Sequence, residues 1–358
     1  MIYRPANIDS RPACLATRSH VDSGKHSSRA IGQRNLAVGL ALALACALPA
    51  QADDTYPGRP VNLIAPYSVG GDADMAARNL ASAAQKVLGQ TVVVQNKPGA
   101  SGVIGSAFVL NAEANGYTLL LARTGSQSIL PAIRPTNTKY KWDDYTFIGM
   151  LELNPYGCMV NAKSPYKTFD DFAKGLKEKG KTMNFATAGS LTTNDMGPRQ
   201  LINLLQIGDQ APTQVPYKGS GDATASLLAS ETDFACASIG AFLPLIKSGA
   251  LRALFVTTPE RIPSLPDVPT AREIKLPEME KIIGWSALMG PANLPAPVVK
   301  KLADMLQVVA KDEGWQQATK RAGSIPYVKS PGETREFAKA QFDLYRALGE
   351  SLQLIDKQ

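Results

Sequence analysis

Val61–Arg78, VNLIAPYSVGGDADMAAR, constrains the fold more than any other stretch of this chain. Val61, Leu63, Ile64 and Ala65 form a short apolar run that Pro66 ends, which is the pattern of a buried strand. Gly70 and Gly71 permit a sharp turn and leave the next N–H groups unobstructed. Asp72 or Asp74 then falls in the first turn of a helix, where a carboxylate is favoured. A strand leading at once into a helix is the connection of an α/β sheet. The helix N-terminus it creates is a ready site for an anion such as a carboxylate.

Ahead of this turn the chain carries the marks of an export signal. Residues 1–35 are polar and include Arg4, Arg11, Arg18, Lys25, Arg29 and Arg34. Leu36–Pro49 is an apolar run of fourteen residues, and Ala50-Gln51-Ala52 has the small-x-small form of a cleavage site. The run is too short to span a bilayer comfortably. The expectation is a cleaved leader over 1–52, a mature chain starting near Asp53, and release into the periplasm rather than lipid attachment at Cys46. With Asp9 and Asp22 the only acids in the leader, its removal lowers the formal net charge from +7 to +3. No Lys/Arg cluster with interleaved aromatics stands out, which argues against nucleic acid as a partner.

Both histidines, His20 and His26, lie in the leader. Residues 53–358 therefore lack the commonest general base and the commonest metal ligand. Ser-His-Asp chemistry and the usual zinc sites are excluded. No catalytic residue, cofactor or metal is expected, and an exported chain that opens on an anion cradle reads as a solute receptor rather than an enzyme. Cys158 and Cys236 each sit in an apolar, strand-like run. The expectation is two buried free thiols rather than a disulfide.

Residues 53–358 suffice for two domains. Strand-like runs alternate with helical patterns, which argues for parallel α/β sheets. Val61–Ala65, Thr91–Gln95 and Tyr117–Ala122 read as strands, and Asp74–Leu88, Phe169–Lys179, Ala223–Ala229, Pro297–Lys311 and Pro331–Leu348 read as helices. Leu153–Asn161 and Trp285–Pro291 look like crossovers between two lobes. The first lobe then comprises 53–155 and 283–358, and the second 156–282.

YPGRPVNLIAPYSVGGDADMAAR, VVVQNKPGASGVIG, GYTLLLA, VPYKGSGDATASLLA, IKSGALRALFVTTPERIPSLPDVPT and GWSALMGPANLPAPVVKKL follow one another along residues 56–358. In content and order this set resembles the Bug-type solute-binding proteins of tripartite tricarboxylate transporters. The resemblance implies a type II periplasmic binding-protein fold, with two α/β lobes joined by hinge crossovers around a central cleft. It implies capture of a small carboxylate, such as a di- or tricarboxylate or an aromatic acid. The partners it implies are the large and small membrane subunits of the transporter, and the receptor itself is expected to be a monomer. The alternative is a periplasmic sensing partner of a membrane signalling protein.

By the same resemblance, two loops grip the ligand. The first is Tyr67, Ser68, Val69, Gly70 and Gly71 with Asp74, and the second is Thr187, Ala188, Gly189 and Ser190 with Thr192 and Thr193. An Asp74 carboxylate would repel an acidic ligand, so its preferred role is to brace the loop. The second loop departs from the family pattern, with Leu191 where a glycine is common and Asp195 where a histidine is common. Arg123, Thr124, Gly125, Ser126 and Gln127 follow a strand end and form a third candidate edge of the cleft. Arg123 suits a bidentate carboxylate contact, although a structural ion pair is the preferred reading. Tyr217 and the Gly219–Gly221 backbone belong to another strand-to-helix turn and are expected to line the cleft from the second lobe. Gly99-Ala-Ser-Gly102-Val-Ile-Gly105 misses the dinucleotide fingerprint by one residue and reads as close helix packing.

Overall fold

The computed structural model describes residues 56–355. The leader, its cleavage site and Cys46 lie outside them. The described chain runs through β1 (Val61–Ala65), β2 (Val92–Asn96), β3 (Thr118–Arg123), β4 (Thr146–Asn154), β5 (Tyr156–Asn161), β6 (Asn184–Thr187), β7 (Thr213–Pro216), β8 (Phe234–Ser238), β9 (Leu251–Val256), β10 (Gly284–Gly290) and β11 (Ile325–Lys329). These form two sheets, one ordered β11-β4-β10-β3-β1-β2 and the other β7-β6-β8-β5-β9.

Each sheet is mixed rather than purely parallel. β1 runs parallel to β2 and β3, and β6 runs parallel to β7 and β8. The strands near the passages between sheets break the pattern: β10 is antiparallel to β3 and β4, and β5 is antiparallel to β8 and β9. A chain that leaves one sheet and returns from another is not held to the crossover connection that makes neighbours parallel.

Only Pro155 separates β4 from β5. Proline has no N–H to continue a ladder, so the chain changes sheet there, and the Pro155 carbonyl accepts from the Ile239 N–H at 2.8 Å. The return passage is residues 257–283. Trp285–Pro291, read as that passage from sequence, is almost wholly β10, which inserts between β3 and β4 with every residue buried.

Helices cover both sheets. Asp72–Leu88 presents Ala73, Ala77, Leu80 and Ala84 to the core formed with Val61, Leu63 and Leu121. Phe169–Lys179 and Pro331–Ser351 each begin with a reciprocal capping box, Thr168 with Asp171 and Ser330 with Glu333, which satisfies two orphan donors per helix. Gly105 lets its helix lie close to the sheet, because a Cβ there would sit 2.8 Å from the Lys97 carbonyl and 2.9 Å from Pro66.

The cysteine expectation is corrected. Cys158 of β5 and Cys236 of β8 lie directly opposite in an antiparallel register and form a disulfide. Their separation of 78 residues hid the adjacency that the sheet creates.

Candidate functional site

Two strand-to-helix loops are built on one plan. In the first, Gly70 takes φ +79° and its N–H donates to Asp74 Oδ2 at 3.0 Å. Arg78, one turn along the helix, holds the same carboxylate at 2.9 and 3.1 Å. In the second, Leu191 takes φ +54° and its N–H donates to Asp195 Oδ2 at 2.8 Å. Arg199, again four residues on, holds Asp195 at 2.8 Å. In both loops a buried carboxylate captures the N–H of a left-handed residue, and an arginine fixes the carboxylate. Burial pushes the Asp74 carboxyl up, but the bonds from Arg78 and Gly70 prevail and hold it below its ordinary range. At Asp195 burial prevails over Arg199 and the Leu191 N–H, and the carboxyl is raised. Glycine adopts the left-handed conformation freely, whereas a leucine there carries strain on the order of 1 kcal/mol.

The helices that follow these loops, Asp72–Leu88 and Thr193–Leu204, start beside a third, Ser220–Leu228. Their N-caps are Gly71, Thr192 and Gly219, and none makes a side-chain capping bond. Residues from all three helix starts line one cavity of about 20 Å³, together with Tyr67, Arg123, Gly125, Tyr156 and Ala188. Helix N-termini present N–H groups and partial positive charge, chemistry that suits an anion.

Arg123 is the cation of this pocket. Its guanidinium donates to Asp72 Oδ2, and Nη1 donates to Ser286 Oγ at 2.5 Å and lies 3.8 Å from Glu152. Burial alone would lower the Arg123 pKa, but Asp72 and Glu152 raise it above the ordinary arginine value. Behind it, Glu152 accepts from Ser286 at 2.9 Å and from Asn154 at 2.8 Å. Burial raises the Glu152 carboxyl despite these partners.

Each loop meets a neighbouring turn, the first at Ser220 and the second at Ser101. Ser220 Oγ donates to Asp72 Oδ1 at 2.5 Å, and Ser101 Oγ donates to the Ser190 carbonyl at 2.7 Å. Backbone approaches backbone at the glycines. A Cβ on Gly219 would lie 2.3 Å from Ser68 Oγ, and one on Gly221 would lie 2.8 Å from the Val69 carbonyl.

Residues 76–354 match the family described as the tripartite tricarboxylate transporter family receptor. The chain belongs to this family. BugT of Bordetella pertussis is 32% identical to this receptor over 309 residues, covering 84% of this chain and 91% of BugT. A protein of Agrobacterium vitis from the TAR-I ttuE-ttuC′ intergenic region is 36% identical over 299 residues, covering 83% of this chain and 85% of the relative. The periplasmic binding protein BugD shares the fold with a TM-score of 0.80 and 29% identity, covering 84% of this chain and all of BugD. MatC of Rhodopseudomonas palustris, solved with bound malate, has a TM-score of 0.77 at 26% identity, with 82% of this chain and 100% of MatC covered. The fold is that of periplasmic solute-binding proteins of the Bug type.

Within the receptor, the residues singled out from sequence occupy different positions. Tyr67, Arg123, Ala188, Thr192 and Thr193 line the cavity. Tyr67 donates from its hydroxyl to the Ser101 carbonyl at 2.9 Å. Gly70, Gly71 and Gly219 shape the loop contact, Asp74 braces its loop, and Ser68 Oγ is buried against Gly219. Val69 points outward with 63% of its surface exposed. Thr187 lies in the sheet, where its Oγ1 accepts from the Gly189 N–H at 3.3 Å. Gly189, Ser190 and Tyr217 line an outer groove of about 630 Å³ with Gly99, Lys218 and Asp222.

Three of the Arg123–Gln127 candidates are buried away from the cavity. Thr124 Oγ1 accepts from the Trp285 N–H at 2.8 Å, Ser126 presents its carbonyl to the Tyr140 hydroxyl, and Gln127 donates to Ser106 Oγ at 3.0 Å. Gly125 of the same run lines the cavity with Arg123. Sequence reasoning missed Tyr156 and Asn194, held Ser220 only as backbone of the Gly219–Gly221 turn, and placed Asp72 only as a helix-start residue. Tyr156 and Asn194 were legible only as polar groups in a crossover and a polar run; here the tyrosine hydroxyl donates to Asn194 Oδ1 at 2.5 Å.

Proposed function

We propose that this receptor captures a small carboxylate in the cavity between two lobes and delivers it to the membrane subunits of a tripartite tricarboxylate-type transporter. The lobes are 53–155 with 283–358, and 156–282. The observation that carries the reading is the convergence of three uncapped helix N-termini and Arg123 on one cavity. MatC, of similar fold, holds malate. Hydrogen bonds to a charged group contribute roughly 1.5–3 kcal/mol each. Three or four, with a helix-terminus contribution of about 1 kcal/mol, reach the roughly 8 kcal/mol that micromolar affinity requires. Tyr67, Arg123, Thr192 and Thr193 form the grip, and Gly70, Gly71 and Asp74 act through the loop they shape.

The receptor works in the periplasm as a monomer. The Cys158–Cys236 disulfide suits an oxidising compartment. No helix among the described residues is long and apolar enough to cross a membrane. The test is a thermal-shift screen of the mature protein against small mono-, di- and tricarboxylates. A binder at one hundred times its Kd adds about 2.7 kcal/mol of stability, and its melting temperature rises accordingly. A panel in which no carboxylate shifts the transition would sink this reading.

A further inference from the structure

Asp72 is the unexpected group in a pocket built for anions. It is the first residue of its helix, it lines the cavity, and it contacts Arg123 through one carboxylate oxygen and Ser220 through the other. A ligand carboxylate drawn to Arg123 and the helix N-termini therefore arrives beside a fixed negative charge. Arg123 is the sole cationic side chain lining the cavity among the described residues, and Glu152 already stands behind it. The pocket thus offers one positive and one negative group in direct contact.

Two opposite charges in contact are matched by a ligand that carries two opposite charges on neighbouring atoms. A second ligand carboxylate in the same space would face Asp72 with no further cation to offset it. An ammonium there would be accepted by Asp72, and each carboxylate oxygen has lone-pair capacity beyond its present bond. Asn194, which also lines this space, accepts the Tyr156 hydroxyl through its Oδ1. We infer that Asp72 is a specificity-determining residue, selecting a ligand whose carboxylate bears an ammonium on the adjoining carbon, an amino acid in preference to its deaminated acid. This inference rests on the small-carboxylate reading above and narrows it.

The test uses matched pairs that differ only in the ammonium: aspartate with succinate, glutamate with glutarate, and alanine with propionate. Titration calorimetry on the mature wild-type protein is expected to show at least tenfold tighter binding of the amino acid in the pair that binds. Asp72→Asn keeps the size and the bond from Ser220 but removes the charge. It is expected to shrink that preference at least tenfold, mainly by weakening the amino acid, with the melting temperature within a few degrees of wild type. Equal or tighter binding of the deaminated acid to wild type overturns the inference while leaving the carboxylate reading intact. So does an Asp72→Asn protein that keeps the full preference. The wild-type comparison decides the matter even if the variant fails to fold. Binding of other carboxylates with no response to any of these pairs overturns the inference alone, and silence across all carboxylates overturns both.

Discussion

At the scale of single residues, Gly70 and Gly71 sit side by side yet serve different ends. Gly70 has φ +79° with open space where a Cβ would go, so its requirement is conformational. Gly71 has an ordinary extended backbone, but a Cβ there would lie 2.9 Å from Ser220 Oγ on the facing loop. Its requirement is contact between loops. Gly70→Val is therefore expected to cost about 1–3 kcal/mol of stability through backbone strain. Gly71→Val is expected to leave stability nearly unchanged and to weaken ligand binding at least tenfold, because the branched side chain props the loops apart. Denaturant melts and calorimetry with a ligand from the screen separate the two. Equal affinity in Gly71→Val would remove this contact from the binding step. From sequence the pair looked like one turn, because a glycine's neighbours across a cleft are not encoded beside it.

At the scale of elements, the repeated strand–loop–helix unit is the device that makes the pocket. Each unit pins a left-handed residue with a carboxylate four positions on and an arginine four positions further. The brace role expected for Asp74 has this geometry, and Asp195 repeats it in the loop that carries Leu191. Asp195→Ala is expected to cost about 1–3 kcal/mol, because the buried Leu191 N–H loses its acceptor, and to weaken binding as the loop relaxes. Arg199→Ala should cost less, since Arg199 is about one-third exposed and the Leu191 N–H keeps its acceptor. Chemical denaturation of both variants checks the order. A larger loss for Arg199→Ala would mean that the arginine, rather than the carboxylate, holds the loop.

At the scale of the whole molecule, a cavity of about 20 Å³ holds little more than a water molecule. A molecule the size of malate enters only if the loops around the cavity part. A ligand that bridges both loops then favours the closed population. Small-angle scattering is expected to give a smaller radius of gyration with saturating ligand than without. An unchanged radius would mean a receptor that stays closed or a site confined to one lobe. The phenols report on the same assembly. Burial raises Tyr67, Tyr140, Tyr145, Tyr156 and Tyr345 above the ordinary tyrosine value. Each stays protonated when folded while its unfolded counterpart ionises near pH 10. The stability they contribute is complete below that pH and is lost as the pH rises through the folded values. Absorbance titration is expected to show these phenols ionising only with unfolding, and melting temperatures to fall above about pH 10. Free titration of all phenols in the native protein would contradict this burial.

What the sequence determined alone was local. Val61–Ala65 and Phe169–Lys179 form with the bounds their patterns give, and the Gly70-Gly71 turn does place a helix N-terminus at a strand end. Apolar periodicity and a glycine turn act within a few residues, so a linear reading finds them. The two-sheet architecture came from the ordered family motifs. Only the tertiary structure decided that Asp72 meets Ser220 across 148 residues, that Arg123 meets Ser286 across 163, and that Cys158 faces Cys236. It also turned Thr124 and Gln127 into the core and drew β10 between β3 and β4. Those outcomes depend on which strands lie side by side, and that is set by burying whole faces at once. No window of the sequence contains that choice.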